Sequence, residues 1–407
     1  MQTRLAAALR DSPQAAEAAT LLGRCVHCGF CNATCPTYRL LGDELDSPRG
    51  RLYLVKQVLE GIAPTARTQL HLDRCLTCRG CETTCPSGVQ YGRIIDAGRS
   101  LVDRRVTRPP GAQLRRLALR TLLPSRLFPL AVRFGQAVRP LLPAAIRDSL
   151  PPRQRVGAWP RRTHARKVLL LAGCVQPSLA PNINVATARV LDRLGIEVVV
   201  PRAAGCCGAI RYHLDDGEGG LDDARRNIDA WWPTIEAGAE AVVMNASGCG
   251  AMVKDYGHLL RGDVAYAARA ERISGMTRDL AELLAGCVPL LRQRMTGSAR
   301  RVAVHSPCTL QHGQQLRGVA EELLASLGAE VLPVADGHSC CGSAGTYSLL
   351  QPALSRQLRD RKRDALMAGR PEMILSANIG CIAHLAPAAP VPVRHWVEWL
   401  DEELTGA

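Results

Sequence analysis

Eight cysteines in two runs of identical spacing constrain this chain more than any other feature. Cys25, Cys28, Cys31 and Cys35 are followed by Pro36, and fifty residues later Cys75, Cys78, Cys81 and Cys85 are followed by Pro86. In such a C-x2-C-x2-C-x3-C-P run three thiolates grip one [4Fe-4S] cluster, while the fourth cysteine reaches the neighbouring cluster. The crossed pattern assigns Cys25, Cys28, Cys31 and Cys85 to one cluster and Cys75, Cys78, Cys81 and Cys35 to the other. A chain holding two such clusters is suited to moving electrons. Structural zinc usually needs only C-x2-C pairs separated by a longer loop, and each run here carries a third and a fourth cysteine. Disulfides between residues three apart would be strained at several consecutive steps. Between the runs, Ser47-Pro48-Arg49-Gly50 opens a periodic stretch, Leu52 to Leu59, which predicts a helix joining the two loops.

The 407 residues suffice for two or three domains with their own cores. The first twenty residues lack a continuous apolar core and carry acids, so no secretory signal is expected. No stretch approaches about 18 uninterrupted apolar residues, so no spanning helix is expected either. Seventeen cysteines in such a chain imply reduced, metal-binding thiols and a cytoplasmic setting. The net charge of +14 is concentrated in one place: residues 104–167 hold sixteen Arg or Lys against a single acid, Asp148. Short leucine- and phenylalanine-bearing segments broken by prolines run through this linker. Broken amphipathic helices with arginine on the polar face suit an anionic membrane surface or an acidic partner subunit, the alternative being a solvated connector. Nucleic acid is disfavoured, because only three Phe occur in the chain and no recognised nucleic-acid module accompanies the charge.

The second half is a duplication. A short apolar run leads to Cys174, then come Cys206-Cys207-Gly208 and later Cys249; the same order recurs as Cys308, Cys340-Cys341-Gly342 and Cys381. Cys174 to Cys308 and Cys206 to Cys340 are both offsets of 134 residues, which marks one folding unit used twice. Each copy alternates strand-like runs (168–172, 196–200 and 241–244; 301–305, 331–334 and 373–375) with helical ones (186–194 and 221–237; 319–327 and 352–367). That order predicts a parallel sheet with its ligands at the carboxyl ends of the strands, where the cysteines fall. Gly208 and Gly342 would let the backbone turn tightly beside a bulky group. The four cysteines of each copy could hold a cluster, a zinc ion or a redox-active thiol pair, or be vestigial. Cys287 has no counterpart and reads as a packing residue; His305, His312 and His384 read as polar neighbours rather than ligands.

A pair of ferredoxin runs followed by two CCG cysteine-rich units resembles the family that contains the iron-sulfur subunits of glycolate oxidase, anaerobic glycerol-3-phosphate dehydrogenase, lactate-utilisation oxidoreductases and heterodisulfide reductase. The resemblance covers nearly the whole chain. It is most similar to the glycolate oxidase branch through CVHCGFCNATCPTYRLLGDELDSPRGR at 25–51, RCLTCRGCETTCPSGVQYG at 74–92, NIDAWWPTIEAGAEA at 227–241, ASGCG at 246–250, CCGSAGTYSL at 340–349 and ANIGC at 377–381. The resemblance implies two [4Fe-4S] clusters and two flavoprotein partner subunits that oxidise a 2-hydroxy acid; with no dinucleotide loop in this chain, FAD is expected on those partners and a quinone-like acceptor for the electrons, and the basic linker suggests a peripheral place on the cytoplasmic side of the inner membrane. Lactate or glycerol-3-phosphate oxidation, or thiol and disulfide reduction at the CCG sites, are the alternatives. One departure stands out: where heterodisulfide-reductase-type domains end in C-x2-C, the earlier position is Ala246 here in the first copy and Asn378 in the second. No G-x-G-x-x-G loop follows a strand, and the nearest approach is Gly217-Glu218-Gly219-Gly220. The expected organisation is a mainly α-helical ferredoxin-type domain (1–103), a basic linker (104–167) and two α/β parallel-sheet CCG domains (168–298 and 299–407).

Overall fold

The helix Pro48–Leu59 organises the N-terminal region, and its start is written in the sequence. Ser47 caps it, its Oγ accepting from the Gly50 N–H at 2.9 Å, and Pro48 occupies the first turn, where a missing N–H costs nothing. Leu52, Val55, Val58 and Leu59 on one face are buried, each contributing about 1.5–3 kcal/mol. They pack on the helix Tyr91–Asp103 at Gly98, where a Cβ would stand 2.4 Å from Val55 Cγ2. Helices Pro13–Gly23 and Ala66–Asp73 complete this core through Leu22 and Leu72.

The computed structural model describes residues 1–407 except 144–146, 148–149, 155, 296–299 and 406–407. Asp148 and the expected 298/299 domain boundary therefore lie outside the described residues. The chain falls into two compact units: Met1–Leu117 with His338–Leu358, and Ala118–Gly337 with Arg359–Ala407.

The larger unit contains two parallel four-stranded sheets. In the first, β1 (Arg166–Leu170), β2 (Ile196–Val199), β3 (Ala241–Met244) and β4 (Thr277–Asp279) are ordered β2-β1-β3-β4, with Val168 opposite both Val198 and Ala241. In the second, β5 (Arg301–His305), β6 (Glu330–Leu332), β7 (Met373–Ser376) and β8 (Val393–His395) repeat that order as β6-β5-β7-β8. Helices Asn182–Arg193 and Gly217–Glu236 make the crossovers of the first copy, and Val319–Ser326 and Pro352–Met367 occupy the same places in the second. All four residues of β3 and of β7 are buried, as expected of central parallel strands covered on both faces.

Polar bonds join the copies. The Ser247 N–H donates to Ala377 O at 3.0 Å, and His395 Nε2 lies 2.8 Å from Asn245 O. The C-terminal helix Trp396–Thr405 packs on Asn182–Arg193, where Asp401 accepts from Arg189 Nε at 2.8 Å and from Arg193 Nη1 at 2.9 Å.

In the linker, helices Pro110–Leu122 and Leu127–Ala137 leave an unusual amount of apolar surface outward: Leu114, Leu127, Leu130 and Phe134 are 59–71% exposed. Its arginines divide. Arg108 and Arg116 pair with Asp73, whereas Arg115, Arg126 and Arg133 are exposed. Among the described residues no helix is long and apolar enough to cross a membrane.

Candidate iron-sulfur centres

The two N-terminal cysteine loops share a backbone device. In the first, His27 (φ 58°) and Gly29 (φ 84°) flank Cys28; in the second, Thr77 (φ 51°) and Arg79 (φ 58°) flank Cys78. Such left-handed residues, alternating with ordinary ones, turn successive N–H groups toward one side, a concavity that favours an anionic group. The three non-glycine examples cost about 1–3 kcal/mol each, a strain that persists only where the surroundings impose it. Short helices Phe30–Ala33 and Gly80–Thr84 then present Cys31 and Cys81, and Pro36 and Pro86 turn the chain away after the fourth cysteines.

The loops enclose two adjoining hollows in the smaller unit. Cys25, Cys28, Cys31 and Cys85 line the outer one together with His27 and Arg49. Cys35, Cys75, Cys78 and Cys81 line the inner one with Arg51 and Thr77. Pro48, Cys81 and Tyr91 border both. Burial and the crowding of Cys25, with smaller effects of Cys85 and Cys28, push the Cys31 thiol up to about 11. Burial, then Cys78 and Cys75, raise Cys81 well above an ordinary thiol. Thiols raised in this way ionise near neutral pH only where positive charge sits beside them, which is the demand a thiolate-ligated metal centre satisfies. The donor set is soft and all-sulfur, the Thr77 N–H points at Cys75 Sγ at 3.4 Å, and the buried Tyr91 hydroxyl has no protein partner. The residues present therefore fit [4Fe-4S] clusters.

Four further thiols converge at the carboxyl ends of the first sheet. Cys206 accepts from the thiols of Cys174 and Cys207 and from the Gly208 N–H, at 3.4 Å for the latter, which together pull its pKa well down. The same contacts raise Cys174 and Cys207, the latter also bonded to Cys249. Gly208 permits this turn: its φ is +92°, and a Cβ would stand 2.4 Å from Gly220 O. Asn227, on the helix Gly217–Glu236, donates to Cys206 O at 2.7 Å, and the Tyr256 hydroxyl donates to Cys207 O at 2.8 Å.

In the second copy the cysteines divide between the units, Cys340 and Cys341 with the smaller, Cys308 and Cys381 with the larger. The turn is reproduced: the Gly342 N–H points at Cys340 Sγ at 3.4 Å, and Gly342 has φ +86°. Asn378, at the position of the missing cysteine, donates through Nδ2 to Cys381 Sγ at 3.4 Å and accepts the Gly248 N–H of the first copy at 3.3 Å. His305 Nδ1 is 2.9 Å from Ser376 Oγ, and burial lowers its pKa to about 3, so it stays neutral. Cys287 stands alone at a helix end, its Sγ 3.9 Å from Leu283 O. Gly217–Gly220 opens a helix capped by Asp216 and follows another helix, Ala209–His213, rather than a strand.

Arg51 and Tyr91 had no role in the sequence reading. Both lie inside the quoted motifs, but nothing local distinguishes a buried arginine from its half-buried neighbour Arg49.

Comparison with known proteins adds independent findings. A model of the 4Fe-4S dicluster domain matches residues 21–89, and one of the cysteine-rich CCG domain matches 168–254 and 302–386. The chain is 54% identical over 407 residues to the glycolate oxidase iron-sulfur subunit of Escherichia coli (strain K12), covering 99% of both. It is 30% identical over 395 residues to a probable glycolate oxidase iron-sulfur subunit of Bacillus subtilis (strain 168), covering 89% of this chain and 87% of the other. It is also 30% identical to lactate utilization protein A of Geobacillus thermodenitrificans (strain NG80-2), over 58% of this chain and 98% of that protein.

Proposed function

Since the chain belongs to the glycolate oxidase iron-sulfur subunit family, we propose that it is the electron-transfer subunit of an acceptor-dependent glycolate dehydrogenase. In this reading electrons leave glycolate, which becomes glyoxylate, through FAD on two partner flavoprotein subunits, and pass along this chain to a quinone-like acceptor. The observation that carries it is the pair of adjoining hollows that between them are lined by all eight cysteines of the two runs, Cys81 bordering both. A [4Fe-4S] cluster, when bound, takes up and releases single electrons without making or breaking a covalent bond to substrate.

The residues have distinct tasks. Cys25, Cys28, Cys31 and Cys85 hold the outer cluster, and Cys75, Cys78, Cys81 and Cys35 the inner. The Thr77 N–H donates to Cys75 Sγ, the buried Tyr91 hydroxyl is available to a group held in either hollow, and Cys35, Cys75 and Cys81 are buried at the inner site. The CCG cysteines, Cys174, Cys206, Cys207 and Cys249 with Cys308, Cys340, Cys341 and Cys381, hold a further cluster or a zinc ion, or act as redox thiols. The domain limits proposed remain 1–103, 104–167, 168–298 and 299–407. The lactate utilization relative aligns over only part of this chain, which favours the glycolate reading.

Purified alone, the chain should contain iron and sulfide, give reduced-cluster EPR signals, bind no FAD and leave glycolate unoxidised. Co-expression with the proposed flavoprotein partners should restore dye-linked glycolate oxidation. Glycolate turnover by the isolated chain would contradict the division of labour.

The linker supplies the proposed peripheral attachment on the cytoplasmic face of the inner membrane. Exposed Arg115, Arg126 and Arg133 stand among the outward leucines, and each arginine near an anionic surface contributes about 1 kcal/mol, screened beyond roughly 8–10 Å at moderate salt. Changing all three to Gln should weaken binding to phosphatidylglycerol vesicles by about two orders of magnitude while leaving iron content intact. If the variant sediments with vesicles as the parent does, the linker is a subunit-docking segment instead.

A further inference from the structure

Two arginines two residues apart at the start of one helix stand at the two hollows in very different surroundings. Arg49 borders the outer hollow, pairs with Glu44 at 2.7 Å, and its side chain is 34% exposed. Arg51 borders the inner hollow with its side chain 1% exposed. Arg51 Nη1 points at Cys35 Sγ at 3.9 Å, Nε donates to His71 O at 2.7 Å, and Nη2 donates to Thr37 Oγ1 at 3.0 Å and Asp46 Oδ1 at 3.2 Å. Asp46 is shared: Arg74 Nη1 pairs with its other oxygen at 2.8 Å, and His71 Nδ1 lies 3.1 Å from Oδ1. With the buried Arg51 and the half-buried Arg74 around one carboxylate, the cluster keeps an excess of positive charge beside the inner thiolates.

We propose that Arg51 sets the order of reduction potentials, placing the inner centre above the outer one so that electrons run inward. This rests on the reading that the two hollows hold clusters. A reduced cluster carries one more negative charge than an oxidised one. A fixed cation that water cannot reach therefore stabilises the reduced form, while an exposed, paired cation is screened. Hydrogen bonds to ligand sulfur act in the same direction. Here the inner ligands receive them from Arg51, at Cys35, and from the Thr77 N–H, at Cys75. The step is one electron lost by the outer centre and one gained by the inner, with no bond made or broken and no proton moved.

The surroundings give that direction a purpose. The outer loop is the accessible one: Cys28 is exposed, and Val26 and Phe30 beside it are 70% and 63% exposed. The inner hollow instead neighbours the segment His338–Leu358, which belongs to the same compact unit. Tyr347 of that segment is 6% exposed, its hydroxyl has no protein partner, and it lies within electrostatic reach of Arg51, Cys75 and Cys340. An inner sink thus places the electron beside the second CCG turn.

EPR-monitored redox titration of the purified chain tests this without turnover. In Arg51→Gln the potential of the inner centre should fall while the outer one stays unmoved; in Arg51→Lys, which keeps the charge, the inner centre should stay near the parent value. Asp46→Asn, which removes the counter-charge, should move the inner potential upward. Opposite shifts from neighbouring substitutions distinguish an electrostatic role from mere loosening of the fold. Chemical iron counts identify the variants that load both clusters. If Arg51→Gln does not, Arg51→Lys and Asp46→Asn carry the test. Equal shifts of both centres, or no shift with both clusters loaded, overturn the proposal. Absence of clusters in the parent overturns the underlying reading instead.

Discussion

Cys28→Ser is expected to remove the outer cluster, with a loss of about four iron and four sulfide per chain, and to abolish electron transfer to an artificial acceptor. Cys28 is exposed, so its replacement disturbs no core packing and any loss reports on ligation. Cys78→Ser should remove the same amount of iron and the signal of the inner cluster. Cys287→Ser, at a thiol outside every converging set, should change neither. Iron analysis with EPR on anaerobically purified protein checks all three. Full iron content and an unchanged spectrum in Cys28→Ser would remove the ligand assignment.

Gly208→Ala should destabilise the first CCG domain far more than Gly238→Ala in the same domain. Both glycines have φ above 90°, so both substitutions bear a backbone penalty of about 1–2 kcal/mol. At Gly238 a Cβ meets nothing within 4 Å, whereas at Gly208 it meets the backbone oxygen of Gly220 at 2.4 Å, which no side-chain rotation relieves. Overpacking of this kind adds about 1–3 kcal/mol. It also displaces the N–H that donates to Cys206. Chemical denaturation followed by tryptophan fluorescence measures the difference, because Trp231 is fully buried on the helix that carries Gly220. Equal losses in the two variants would show that the close approach is not rigid.

Much of the architecture is readable before any coordinates. The strands expected at 301–305 and 241–244 form with those bounds, and the helix expected at 352–367 spans Pro352–Met367. Apolar run length and helical period are local properties, so local sequence reports them. The fourth strand of each sheet escapes that reading. Thr277-Arg278-Asp279 and Val393-Arg394-His395 are three residues long and carry charged or polar side chains, so nothing in them signals a strand. They become strands because β3 and β7 offer them hydrogen-bonding edges, a fact about distant residues. The linker shows the same limit: its sixteen basic residues are plain in the sequence, but Asp73 takes Arg108 and Arg116 out of the outward set.

By itself the sequence determined the candidate ligands, their spacing and the duplication, because cysteine spacing and repeat offsets are properties of the linear chain. The neighbours of those ligands were decided only by tertiary structure. Arg49 and Arg51 are chemically identical and two residues apart, but burial hides one from water at the inner hollow while the other keeps a third of its side chain exposed. The segment carrying Cys340 and Tyr347 is grouped with the N-terminal unit by packing across nearly three hundred residues of chain. Asn378 looks like a lost ligand in sequence and is a bridge between the two CCG copies in space. Charge screening, orphaned hydroxyls and bridging amides depend on which distant atoms come within a few ångströms, and no local pattern encodes that.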